Sequence, residues 1–184
     1  MLKFKEGVDI VQEIGGIKKA EAALKLLKER MASEQFARIA AFKNPEILLK
    51  IANAVVMCQP DHIFINTGSA ADKQTVRELA LKNGEERALP MKGHTIHYDL
   101  KEEQGRITDR TYYVANDSEL VSSLALRMAR NDALETVRKG LTGIMRGKTM
   151  VVGFYSRGPV GSPVSNPAIE VTSAECVIDL ADSR

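Results

Sequence analysis

The segment Gly143-Ile144-Met145-Arg146-Gly147-Lys148-Thr149 ends in the Gly-Lys-Thr of a phosphate-cradling loop. A ring of backbone N–H groups around nucleotide phosphates needs a glycine five positions before the second one, and Thr142 stands there. The order of elements also disagrees. Such a loop follows a strand and opens a helix, whereas this one follows helix-like sequence and opens the β-branched run Met150 to Tyr155. Gly147 is therefore expected to end a helix, with Lys148 starting a strand.

Other side chains able to do chemistry are scattered. His94 and His97 flank Thr95-Ile96 in a strand-like stretch, where residues three apart face opposite ways, so they are not expected to chelate one metal. His62, between Asp61 and an apolar strand, reads as a structural histidine with no nucleophile beside it. Asp99, Glu102, Glu103 and Asp109 read as solvated loop charge rather than a cation site. Arg106 differs, because a guanidinium between Gly105 and the apolar Ile107 can fork onto a carboxylate or phosphate through two parallel hydrogen bonds. With Lys92 and Arg110 nearby, it would make an anion-attracting patch. In Gly158-Pro159-Val160-Gly161-Ser162-Pro163, prolines fix φ and glycines free it, which predicts a rigid corner between two strands. Only Ser156, Arg157, Ser162 and Ser165 bring reactive groups to it.

These residues need elements to position them. Apolar spacing at Ala20, Leu24, Leu27 and Met31 predicts a helix over 17–31. Ser33 with Phe36 and Ile39 predicts a second, and Asn44-Pro45 caps a third over 47–56. A strand over 62–66 follows, then a helix capped by Ser69 and closed by Asn83-Gly84. Strands are expected over 95–98 and 111–115, separated by the polar segment 101–105, and helices over 117–128 and 132–142. The run 150–155 and two further strands, 168–172 and 175–180, complete the pattern. The fold class is mixed α/β: a helical first third, then a mixed sheet with flanking helices, in a single domain over 1–184.

Composition narrows the partners. A chain of 184 residues with 44% apolar and 27% charged residues has the make-up of a soluble globular protein. A net charge of +2 without a basic stripe, and 5% aromatics, argue against nucleic acid. Cys58 and Cys176 form no Cys-x-x-Cys pair, so neither a disulfide framework nor zinc is indicated. The N-terminus lacks a signal peptide's apolar core, and no apolar run reaches the roughly 18 residues of a membrane span. A cytoplasmic location is expected. The end at Asp182-Ser183-Arg184, directly after a strand-like run, suggests a piece of something longer, with an open edge near Cys176 that invites self-association.

Three segments, in order, carry a family resemblance. Cys58-Gln59-Pro60-Asp61-His62 with Gly68-Ser69, then Gly105-Arg106-Ile107 with Thr111 and Val114, then Met145-Arg146-Gly147-Lys148-Thr149 through Gly158-Pro159 and Gly161-Ser162-Pro163 to Ile169-Glu170-Val171-Thr172, together resemble the N-terminal region of GTP-dependent phosphoenolpyruvate carboxykinase. That resemblance implies conversion of oxaloacetate and GTP to phosphoenolpyruvate, GDP and carbon dioxide in gluconeogenesis, with manganese at the active site and magnesium on the nucleotide. It implies that Arg106 binds substrate. It also implies that the nucleotide loop and metal ligands lie in a C-terminal catalytic domain that these residues lack, so the chain alone is expected to be inactive and to bind no cofactor. The alternative is a non-enzymatic anion-binding or interaction domain of the same fold.

Overall fold

The computed structural model describes residues 8–98, 111–116 and 118–173. Its elements in chain order are α1 (Ile10–Gly15), α2 (Ala20–Arg30), α3 (Ser33–Ala40), α4 (Pro45–Cys58), β1 (His62–Asn66), α5 (Ala70–Asn83), β2 (Arg87–Ala88), β3 (Thr95–Ile96), β4 (Tyr112–Val114), β5 (Leu126–Met128), α6 (Arg130–Leu141), β6 (Thr149–Arg157) and β7 (Asn166–Thr172). They fall into two compact units, Met1–Glu86 with Thr142–Arg184, and Arg87–Leu141.

The first unit is built around α4 and β6. Asn44 Oδ1 accepts from the Glu46 amide and Pro45 supplies a preset φ, so α4 starts where the sequence predicts. Ile51, Ala52, Asn53, Ala54, Val55, Met57 and Cys58 are all buried, so the second half of α4 is enclosed on every side as a core helix. It packs against α1 and α2, the latter through buried Ala23 and Leu27. Four helices precede Cys58 rather than three. The additional one, α1, is set by Asp9, whose carboxylate accepts from the Gln12 amide. The predicted helix over 17–31 begins only at Ala20, because Asn53 takes both backbone groups of Ile17: the Ile17 amide donates to Oδ1 at 2.8 Å and Nδ2 donates to the Ile17 carbonyl at 2.9 Å.

The sheet has the order β1-β6-β7, with β6 parallel to β1 and antiparallel to β7. Met150, Val151 and Val152 have no exposed surface, as befits the central strand. Val151 lies opposite Phe64 and joins Val76 and Leu79 of α5 and Tyr155 in an apolar cluster. On the alternate positions, Phe154 meets Phe42 edge-on with ring centroids 5.1 Å apart. Thus α5 covers one side of the sheet, and Phe42, in the connection between α3 and α4, meets the other. Tyr155 folds back over Gly153, where an added Cβ would stand 2.6 Å from its ring. Its Oη is buried without a hydrogen-bond partner, and burial together with the Glu170 charge pushes its ionisation upward. Tyr155→Phe is therefore expected to leave stability unchanged or raise it by up to about 1 kcal/mol, measured by urea denaturation. A loss of that size would mean that the hydroxyl is satisfied in solution.

In the second unit β2 pairs antiparallel with β3, and β4 pairs parallel with β5. The predicted helix over 117–128 is absent: a turn at Ser118-Glu119 leads to β5. Two of its leucines find no surface to face: Leu120 is fully exposed and Leu124 is 75% exposed. Backbone groups that a helix would use are taken locally instead. Arg127 donates to the Asn116 and Glu119 carbonyls, and Ser122 Oγ accepts from the Leu124 amide. The helix α6 forms as expected. The predicted strand over 175–180 and polar segment 101–105 lie outside the described residues.

Candidate functional site

Two of the sequence segments singled out above meet in the first unit. The chain leaves α4 through Gln59, the one described non-glycine residue at positive φ (53°), and enters β1 after Pro60. Gln59 Oε1 accepts from Arg146 Nε at 2.8 Å and Nη2 at 2.6 Å. Asp61 Oδ1 accepts from the Gly147 amide at 3.0 Å, and the Asp61 amide donates to the Lys148 carbonyl at 3.1 Å. The Met57 and Cys58 carbonyls accept from the Gly143 and Met145 amides at 2.8 and 2.9 Å. Residues 57–62 and 143–149 are thus one joint that sets β1 beside β6 in register, His62 opposite Thr149.

That joint corrects the local expectation. The helix ends at Leu141, and Gly143 to Gly147 form turns before β6 begins at Thr149. Strand follows the Gly-Lys-Thr, as the sequence argued against a nucleotide loop. Gln59 occupies a left-handed position that glycine would adopt more cheaply, and its amide oxygen explains why a glutamine serves there. Gln59→Ala keeps the strained backbone and loses the Arg146 bonds, so it should cost about 1–2 kcal/mol in chemical denaturation. Gln59→Gly should cost less than Gln59→Ala, because both lose the Arg146 bonds and only glycine relieves the left-handed backbone; the reverse order would remove backbone strain from the account.

At the other end of β1, four side chains specify the loop 66–69 before α5. Asn66 Oδ1 accepts from the Gly68 amide at 2.9 Å, and Ser69 Oγ accepts from the Asp72 amide at 3.1 Å, the predicted cap. Asp72, 4% exposed, accepts from the Thr67 amide at 2.8 Å, from Thr67 Oγ1, and from Arg38 Nη1 at 2.8 Å. Arg38 also donates to the Ile65 carbonyl at 2.7 Å and to Glu34, and its guanidinium lies 5.5 Å from the Phe64 ring centroid. Gln35 Oε1 accepts from the Ile65 amide at 2.8 Å. Side chains of α3 therefore stand in for a neighbouring strand at this edge. Burial opposes ionising Asp72, but the Thr67 and Arg38 donors outweigh it and hold the carboxyl below its ordinary range. The hydrogen bond to Asp72 likewise raises Arg38.

The remaining sequence candidates do not converge. Arg106 lies outside the described residues, as do Asp99, Glu102, Glu103, Asp109, Arg110 and Cys176. Lys92 sits in the turn between β2 and β3, and His94 and His97 flank β3. His62 is exposed at the start of β1. Cys58 is buried, which pushes its thiol up and away from nucleophilic chemistry. Ser156 Oγ donates to the Gly158 carbonyl, Ser165 Oγ to the Ser162 carbonyl, and Ser162 Oγ accepts from the Val164 amide, so these hydroxyls shape their loop. Among the described residues no three His, Cys, Asp or Glu side chains gather as metal ligands, and no helix is long and apolar enough to cross a membrane. Arg38, Gln35 and Asp72 escaped the sequence reading because their partners lie 27 to 34 residues away.

Residues 50–182 match the family model of the phosphoenolpyruvate carboxykinase N-terminal domain. The chain is 35% identical over 156 residues to the phosphoenolpyruvate carboxykinase [GTP] of Pyrococcus furiosus, covering 85% of this chain and 25% of that protein. It is 38% identical over 132 residues to the enzyme of the same name from Saccharolobus solfataricus, covering 71% and 21%, and 28% identical over 135 residues to that of Treponema pallidum, covering 70% and 21%. The chain spans about a quarter of the length of the curated relatives it matches.

Proposed function

Since the chain belongs to the phosphoenolpyruvate carboxykinase family through its N-terminal domain, we propose that it is the substrate-side part of a GTP-dependent carboxykinase, acting on oxaloacetate and phosphoenolpyruvate in gluconeogenesis. The observation that carries this reading is the family match over 50–182, which takes in all three segments that resemble the family. The joint between 57–62 and 143–149 supports it, because it gives the first and third segments a shared physical role.

Loss of carbon dioxide from oxaloacetate leaves an enolate, whose oxygen takes the γ-phosphoryl group of GTP. Charge then develops on oxygen, and fixed cations stabilise it. In this proposal Arg106 holds the substrate carboxylate through its planar fork, which lysine lacks. As the resemblance implies, manganese and GTP with magnesium are assigned to polypeptide beyond the matched residues, and the 184-residue chain alone is expected to be inactive. A cytoplasmic location goes with this assignment.

The test is the longest polypeptide its gene encodes, assayed for phosphoenolpyruvate formation from oxaloacetate and GTP with manganese. Failure to form it would sink the proposal. In that polypeptide Arg106→Lys should lower kcat/KM roughly tenfold or more at unchanged melting temperature. Wild-type kinetics would return Arg106 to a surface charge.

A further inference from the structure

We propose that the β6–β7 loop, Gly158–Ser165, is a preformed docking finger whose Val160 and Val164 seat in an apolar hollow of the carboxykinase polypeptide beyond this domain, an inference that rests on the function proposed above. Arg157 pairs with Asn166, leaving a loop of eight residues, whereas a hairpin reverses in about 2–5. The extra length is held in one shape. The Ser162 amide donates to the Pro159 carbonyl and the Ser165 amide to the Ser162 carbonyl, both at 3.0 Å. Ser165 Oγ donates to the same Ser162 carbonyl at 2.8 Å, and Ser156 Oγ braces the Gly158 carbonyl at 3.2 Å. Pro159 and Pro163 fix φ, while Gly158 (φ 102°) and Gly161 (φ 83°) take turns that other residues rarely adopt.

All this order buries neither valine: Val160 is 82% exposed and Val164 80%. A shape specified so fully without burying its own apolar residues serves a surface outside itself. Preorganisation lowers the entropy lost on docking, and valine has little side-chain freedom to lose. The chemistry selects a protein partner. The loop's hydroxyls are engaged within it, which leaves apolar valines for an apolar hollow. At the base of the loop, exposed Arg157 has no carboxylate partner among the described residues and suits an acidic group at the rim. The relatives choose between occupants. Three quarters of their length lies outside the matched part, and a tethered surface competes at a high effective concentration that a second copy does not have.

The experiment places a benzophenone amino acid at position 160 of the longest polypeptide the gene encodes, followed by irradiation and peptide mass spectrometry. Crosslinks to residues after Arg184 are expected, and Val164→Asp should cut their yield roughly tenfold. Crosslinks confined to this domain, crosslinks between two copies, or none overturn the inference. The carboxykinase assay of the unmodified polypeptide judges the family function separately, so either idea can fail alone.

Discussion

Asp72→Ala is expected to destabilise the protein by about 3 kcal/mol, because it removes a buried carboxylate that accepts from the part-buried Arg38 guanidinium and from both donors of Thr67. A partly exposed Arg38 keeps Glu34 and the Ile65 carbonyl, which holds the cost near the low end for a broken buried pair. The consequences should be spatially ordered. Asp72 joins β1, α3 and the first turn of α5, so hydrogen exchange should rise at Thr67 and along α5 before it rises in α4. The pH dependence carries a sign. A carboxyl held below its ordinary range contributes fully above about pH 4, the unfolded value, and loses that contribution as pH falls through the depressed folded value. Wild type and Asp72→Asn should therefore differ most at neutral pH and converge in acid. A difference below 1 kcal/mol at pH 7 in urea denaturation, or one that grows in acid, would overturn this account. Combining Arg38→Ala with Asp72→Ala should cost less than the two separate losses together.

The network also marks where sequence reasoning stops. Ser69, Asn44-Pro45 and Asn83-Gly84 were legible as caps because capping is chemistry within four residues. The run at 150–155 was legible as a strand because it is apolar without a break. Asn53 and Asp72 were not, since a polar residue in a helical stretch looks the same in sequence whether it faces water or a distant backbone amide. The helix expected over 117–128 failed for a related reason. Its leucine spacing is helical, but spacing produces a helix only where a surface exists to bury the stripe. Of the candidate site, the segments 58–62 and 145–149 were visible as motifs, while their union needed a contact across 86 residues. The run 158–163 was expected to form a corner between two strands, and it lies between β6 and β7; the exposure of its valines was not foreseeable from composition.

Gly15→Ala should be the most damaging single-methyl change in the first unit, at about 2–4 kcal/mol. The last residue of α1 lies so close to α4 that a Cβ would stand 2.3 Å from Asn53 Oδ1 and 2.6 Å from Asn53 Cα. A backbone atom cannot swing aside, so the helices must separate. Separation then strains Asn53, which is 2% exposed and joins Ile17 and the Leu49 carbonyl through three hydrogen bonds of 2.8 to 2.9 Å. Losing even one leaves a buried polar group unmet. Alanine's better helix propensity returns at most about 1 kcal/mol. The neighbouring glycine supplies the control. Gly16 has φ 72° but nothing within 4 Å of an added Cβ, so Gly16→Ala should cost only the left-handed backbone strain of about 1–2 kcal/mol. The predicted order, Gly15→Ala worse than Gly16→Ala, is opposite to what backbone conformation alone would give, and urea denaturation of the two variants decides it. Asn53→Ala, which removes Oδ1 but neither Cα nor Cβ, should make the added Gly15→Ala milder without making it harmless, because only the Oδ1 contact is relieved.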